Sequence, residues 1–555
     1  MKIERCRKMI NRREFLRYTA GLAVASAAVS TGHTRTRAAV TGKRIPELEL
    51  LAPDWPAARE ALSGILPHWE SLGLKIKVSF EPFEEAYPRI LAHRFGHGAC
   101  MIWGPGEERL DPGFFLREFY HSSRAQKGFW NYGRFQDTTV DDKLAAQDEE
   151  MDARRRAEKI VALQGRLAGE HAVFTLMHPP VWQAFNVKDW EGHIAQIGAG
   201  YVTLWTYLRI RSRTGRKIFR VGTEETVESF NPVVARNNVH RLVYDTFARW
   251  GPDGGVVPWA ASAWKVIGDD EVEFTIRPGM RFHDGKAVTA EDARFSLETV
   301  YSTGAAAFPA AVREIERAET RGEDTVRIRL KRPHAPFLTA GICSIPVLPR
   351  HIWQEVDDPL KWNNTSMIGS GPFRLKSGSP GGEIILEANP EHRAVSEAVI
   401  LRLSLPGDME EAVEMLRRDE LDALEAHLSL DAVDALASAH HLAVREAAGN
   451  GLLEVRGDLS RPPFNDKAFR RALDHAIPRE EINRVSFRGR ATLARNSVIS
   501  PRLEQWGSAR IPTVPFNLEK ARNILKEAGY GWEMGKHLCC PPMGWEDKEG
   551  GREKD

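Results

Sequence analysis

With 555 residues the chain is too long for one ordinary hydrophobic core and long enough for two or three lobes. Its 77 Lys and Arg nearly balance 76 Asp and Glu, so no global field draws it to nucleic acid or to an acidic membrane. Five cysteines, Cys6, Cys100, Cys343, Cys539 and Cys540, include no C-x-x-C pair, and adjacent Cys539 and Cys540 are poorly placed to bridge each other; no disulfide framework is expected, with one long-range bridge left open.

The N-terminal stretch carries Arg12, Arg13, Phe15 and Leu16 ahead of a short apolar run from Tyr18 to Val29, and a polar, basic segment then leads to Ala38 and Ala39. Charge, a short apolar run and small residues make residues 1–39 a removable export signal, too short to span a bilayer stably. The paired arginines match the twin-arginine pattern, which implies export in the folded state. Met9 is an alternative start, and no cysteine follows the run to take a lipid anchor. No later segment reaches ~18 unbroken apolar residues, so the mature chain is expected to be soluble.

Glu47 to Leu51 alternates as a strand, Trp55 to Trp69 places apolar residues at helical spacing, and Gly73 precedes a second alternating strand, Leu74 to Phe80. This is the grammar of an α/β lobe. A helix over Glu84 to Leu91 follows. His93, His97 and Cys100 would converge on a metal only along a continuous helix, and Gly96 and Gly98 argue for a turn before a strand, Ala99 to Trp103. The loop Trp103-Gly-Pro-Gly-Glu-Glu-Arg-Leu-Asp111 collects three carboxylates, open at this point to either an exposed acidic loop or a cation anchor. Asp148 to Leu167 reads as one solvated surface helix.

Arg209 to Arg216 is basic and without periodicity, a linker. Val272 to Ile276 then alternates as a half-buried strand closed by Arg277-Pro-Gly279, His283 to Lys286 forms a second turn, and Thr289 with Asp292 starts a helix as a capping box. Gly369 and Gly371 suggest a tight bend; Pro372 and Phe373 supply neither the Lys nor the helix start a phosphate cradle needs. His440 and His441 read as exposed in an alanine-rich helix. No Gly-x-Ser-x-Gly, His-Glu-x-x-His or Ser-x-x-Lys appears, and Gly198-Ala-Gly200 lacks the third glycine of a dinucleotide fingerprint. The ending 546–555 is polar and expected to fray.

The stretch Arg281 to Leu297 resembles the signature of the extracellular solute-binding proteins, family 5, which serve peptide and nickel ABC importers. Val227 to Pro232, Pro258 to Trp264, Leu348 to Trp353, Ile368 to Leu375, Pro462 to Ile477 and Phe516 to Tyr530 are similar to successive family motifs. Trp103 to Phe114, Asn131 to Leu144, Phe174 to Trp182 and Val187 to Gly192 resemble its C-terminal part yet stand first here. The chain thus reads as a circularly permuted copy: 44–209 matches the family's last part, 210–216 is the linker and 217–545 matches the first part, with rearrangement in gene assembly as the competing explanation.

The resemblance implies an α/β, two-lobed periplasmic-binding-protein-like fold (type II, cluster C) with a small α/β satellite over about 259–347. It also implies a periplasmic, monomeric capture protein that closes two lobes on a peptide-like solute and hands it to an ABC permease and ATPase, without cofactor or nucleic acid. A nickel chelate, haem, opine or oligosaccharide is the alternative ligand, and a Tat-exported hydrolase or redox enzyme the alternative class. In peptide binders of the family an aspartate after the tryptophan holds the ligand's amine; here Gly106 stands at that place, and Glu107, Glu108 and Asp111 are the substitutes. Trp103, Gly104, Glu107, Asp111, Glu225, Thr226 and Glu228 are the candidate ligand-binding residues.

Overall fold

The computed structural model describes residues 42–223, 226–395, 399–404 and 406–541; the export segment, Glu225 and the 546–555 tail lie outside the described residues. A six-stranded sheet has the order Ile76–Glu81, Leu48–Pro53, Gly98–Trp103, Leu452–Gly457, Phe174–His178, Thr492–Leu493. Its first three strands are parallel, and each later strand is antiparallel to its neighbour. Parallel neighbours need crossovers, supplied here by helices Pro56–Ser71 and Phe83–Leu91. Alternation then decides the faces: Leu48, Leu50 and Ala52 pack with helix residues Ala58, Leu62, Ile65 and Trp69, while Leu51 turns to the core on the other side.

The second sheet has seven strands, ordered Phe373–Gly378, Ile384–Ala388, Ile400–Ser404, Ile218–Thr223, Ala423–Glu425, Val181–Asn186, Leu442–Ala447. A third, four-stranded antiparallel sheet, Ala261–Val266, Glu271–Ile276, Thr325–Leu330 and Ile315–Arg321, carries helix Ala290–Thr303. The expected capping box is formed: Asp292 N donates to Thr289 Oγ1 at 3.3 Å and Thr289 N to Asp292 Oδ2 at 2.9 Å. Two α/β lobes and a satellite therefore account for the three larger sheets, the architecture expected from the resemblance.

The two lobes exchange chain twice. One crossing runs from Phe174–His178 through Pro179 and Pro180 into Val181–Asn186, and the other from Leu442–Ala447 through Gly449, Asn450 and Gly451 into Leu452–Gly457. These crossings touch. A Cβ on Gly449 would lie 1.8 Å from Pro179 O, so a glycine is required where the two backbones meet.

The first lobe is consequently assembled from 42–178 and 452–541, and the second lobe with the satellite from the continuous run between. The two pieces of the first lobe are knitted where the described chain begins and ends: Ile45 N donates to Leu538 O at 3.0 Å, Cys540 N to Lys43 O at 2.9 Å and Leu538 N to Gly73 O at 2.9 Å. Helix Leu518–Glu527 joins them there, with Arg522 donating to Ser71 O at 2.6 Å.

Three local readings change. The helix expected over Asp148 to Leu167 starts later, as Ala153–Ala168, because Asp148 ends the preceding helix Thr138–Asp148 and Asp152 accepts from Arg155 N at 2.8 Å as the N-cap of the new one. His440 and His441 follow a helix that ends at Leu436, and His441 Nε2 lies 3.0 Å from Leu416 O. Gly369 and Gly371 serve close approach rather than a bend, since a Cβ on them would sit 2.1 Å from Val243 O and 2.5 Å from Leu242 O. Among the described residues no helix is long and apolar enough to cross a membrane, no cluster of three or more His, Cys, Asp or Glu is placed to hold a metal, and Cys100, Cys343, Cys539 and Cys540 are buried thiols.

Candidate functional site

Two adjoining cavities of about 390 and 510 Å³ lie where the lobes and satellite face one another, and Glu107, Glu108, Arg241 and Trp250 line both. The first lobe contributes the loop that follows strand Gly98–Trp103, in which Glu107–Arg109 make one tight turn. Asn450, from the crossing, holds this loop from behind: Gly106 N donates to its Oδ1 at 3.0 Å, and its Nδ2 donates to Gly106 O at 2.8 Å. Asn450 is 1 % exposed, so both bonds form away from competing water.

The expected residues separate by role. Trp103 is a core residue: its indole donates to Glu454 Oε1 at 3.0 Å and packs on Trp130 at 4.3 Å between ring centres. Gly104 is exposed, with nothing within 4 Å of where a Cβ would be. Asp111 lines the larger cavity yet is 2 % exposed, and its oxygens accept from Arg156 at 2.8 and 2.9 Å, from Thr339 at 2.5 Å and from Gly113 N at 2.8 Å. Burial alone would raise its carboxyl; Arg156 and the other donors outweigh burial and hold it below the usual carboxylate range. Arg156, expected on a solvated face, is thereby a buried partner. Glu107 faces the cleft and pairs across it with Arg241 at 3.1 Å. Glu108 is held by Arg109 at 2.5 Å. Thr226 and Glu228 are exposed and line neither cavity.

The second lobe's share of the site comes from segments whose sequence gave no signal. Arg241 sits in the short helix Asn238–Val243. Arg249, 5 % exposed, donates to the backbone oxygens of Arg241 at 2.8 Å and Tyr244 at 2.7 Å, and burial pushes its guanidinium down to about 10. Trp205 donates to Trp250 O at 3.0 Å, and Gln183 Oε1 accepts from Tyr201 N at 2.5 Å and Val202 N at 3.0 Å, fixing the opposite wall. His427 lines the smaller cavity with its side chain exposed, and desolvation by the groups around it lowers its pKa, which favours the neutral ring.

A mixed α/β pair of lobes joined by two touching crossings, with a polar cleft at the junction, is the construction of a two-lobed binding protein. The chain belongs to the bacterial extracellular solute-binding proteins, family 5: residues 255–540 match the profile of that family's middle region. It is 31 % identical over 274 residues to a probable D,D-dipeptide-binding periplasmic protein of Escherichia coli, covering 46 % of this chain and 51 % of the relative. It is 29 % identical over 301 residues to a probable di/tripeptide-binding protein of Pseudomonas aeruginosa, covering 49 % and 56 %. The chain thus spans about half the length of the curated relatives it matches. Among solved structures, a periplasmic oligopeptide-binding protein of Thermotoga maritima aligns with a TM-score of 0.47 at 21 % identity, covering 58 % of this chain and 64 % of that one.

Proposed function

We propose that the protein is the solute-capture component of an ABC importer, closing two lobes on a peptide-like ligand and delivering it to a membrane permease and its ATPase. The observation that carries this is the cleft at the crossings: its floor loop is held by Asn450, which itself lies in one crossing, so lobe closure and ligand contact share a part. The ligand is a small peptide, matching what the names of the E. coli and P. aeruginosa relatives say of those proteins. Its main chain pairs with the exposed backbone beside Gly104, and its amine is received by Glu107, the loop carboxylate that both faces the cleft and has a partner able to yield. Thr226 and Glu228 form an outer rim.

In this reading the protein acts as a monomer in the periplasm after twin-arginine export, performs no catalysis, and binds neither cofactor nor nucleic acid. Its chain order is that of a circular permutation, supported by the pairing of Lys43 with Cys540 and of Ile45 with Leu538, which puts the two ends of the described chain side by side in one lobe. Mass spectrometry of solute released on denaturing the purified protein tests the ligand class, and thermal shift with di- and tripeptides tests binding. A protein that releases no peptide-like solute, is unmoved by any peptide and turns over a substrate would sink the reading.

A further inference from the structure

The charges around the cleft do not cancel locally. Glu108 is taken by Arg109 and Asp111 by Arg156, while the carboxylates of the larger cavity are taken by Arg117, Arg124 and Arg332. Glu425 is also engaged. On the second lobe, three guanidiniums, Arg236, Arg241 and Arg249, stand close enough to feel one another's charge and have two carboxylates near them: Glu107, which pairs with Arg241, and the buried Asp245, which lies near Arg249. Arg236 makes one long bond, to Ala307 O at 3.4 Å. Arg249 is bound through one nitrogen to backbone oxygens, and its Nε has no hydrogen-bond partner. A guanidinium this buried whose nearby carboxylate, Asp245, is hydrogen-bonded to Trp259 and His392 instead is a costly arrangement unless something else completes it.

The position of Glu107 suggests what completes it. This side chain comes from the opposite lobe and presents a carboxylate to Arg241 at 3.1 Å, the geometry an external carboxylate would adopt. If a ligand's amine draws Glu107 away, three arginines are left with Asp245 as their remaining counter-charge. Binding an amine alone would therefore exchange one ion pair for another and leave the arginines worse off. We propose that Arg241 and Arg249, with Arg236 behind them, form an anion subsite that Glu107 occupies as an internal plug, so that the cleft selects solutes carrying a carboxylate beyond the C-terminal one that every free peptide has, acidic peptides above neutral or basic ones. This rests on the capture reading above and sharpens its substrate class.

The test is calorimetric binding of Ala-Ala, Ala-Glu, Ala-Lys and the simple dicarboxylate glutarate to the full chain and to two variants. Ala-Glu is expected to bind at least about tenfold more tightly than Ala-Lys, and Arg241→Gln to bring the two within about twofold. Glu107→Gln, which removes the plug, is expected to tighten glutarate binding severalfold, a gain that mere loss of a structural ion pair would not give. Dipeptides bound without regard to charge, a preference for Ala-Lys, or glutarate binding unimproved by Glu107→Gln would overturn the subsite and leave the peptide reading standing. Glutarate bound in an Arg241-dependent way with no response to any dipeptide would keep the subsite and remove the peptide reading, whereas no response to all four probes overturns the subsite.

Discussion

The first lobe is closed by contacts between distant parts of the chain, and the second is folded from one continuous run. In the first, Trp69 at 0 % exposure donates to Leu473 O at 3.1 Å, and His171 lies 2.6 Å from Asp474 Oδ2, which Arg479 also holds. The bonds of Trp69 and His171 join the piece before the second lobe to the piece after it. The second lobe keeps its main charge network near a sheet end, where Arg216 and Arg220 share Asp419 and Asp422 at 2.7 to 3.3 Å. Contacts far apart in sequence cost more chain entropy before they stabilise anything. The first lobe accordingly includes buried polar bonds that exist only once both pieces have arrived, beside the strand pairing and apolar core that also join them.

The most direct way to break this contrast is Trp69→Ala, which removes both core volume and the bond to Leu473; a loss of about 3–5 kcal/mol is expected in urea denaturation. Hydrogen exchange should show the first lobe losing protection ahead of the second, and a loss below about 1 kcal/mol would contradict the contrast.

Acid should act across both lobes. Burial pushes His178, at the crossing, and His193 and His240, in the second lobe, down to about 4. These rings stay neutral in the fold while the unfolded chain takes up protons once pH falls below about 6.5. Their contribution is complete above pH 6.5, declines from there to about pH 4 and is flat below, at up to about 3 kcal/mol each. Urea melts at pH 7, 5.5 and 4.5 measure the slope. His178→Gln should flatten it by about a third, and an unchanged slope would show that the crossing is not among the acid-sensitive parts.

Asn450→Ala is expected to cost about 1–2 kcal/mol by leaving Gly106 N and O unpaired, and to weaken ligand-induced thermal shifts by more than that loss explains. The smallest effect belongs to chain order. A gene running 216–541 and then 43–215, opened at the exposed Gly215 so that Arg216 keeps its partners, should give a protein within about 1 kcal/mol of the original, with the same ligand response; failure to fold would count against the seam between Lys43 and Cys540.

Legibility in the sequence follows how local each determinant is. The strand, turn and capped helix from Val272 through Leu297 were readable because Thr289 and Asp292 satisfy each other three residues apart. The later helix start at Asp152 was hidden among charges that fit a start at Asp148 equally well. Arg156 read as a surface residue because its partner, Asp111, lies 45 positions away, and Asp111 read as a ligand anchor for the same reason. The loop carrying Glu107 was singled out by its resemblance to the family's strand-to-loop segment after a tryptophan. Its counterparts Arg241, Arg249, Trp205 and Asn450 come from separate segments, and no spacing announces that they meet.

Asn450 has one consequence for how the molecule can be observed. Because its amide belongs to the pivot while its hydrogen bonds end on Gly106 at the edge of the cavity, rotation of one lobe against the other has to tug on that single peptide group. The Gly106 resonance in a nitrogen-proton spectrum should therefore work as a built-in angle gauge, registering opening and closing before any probe is attached.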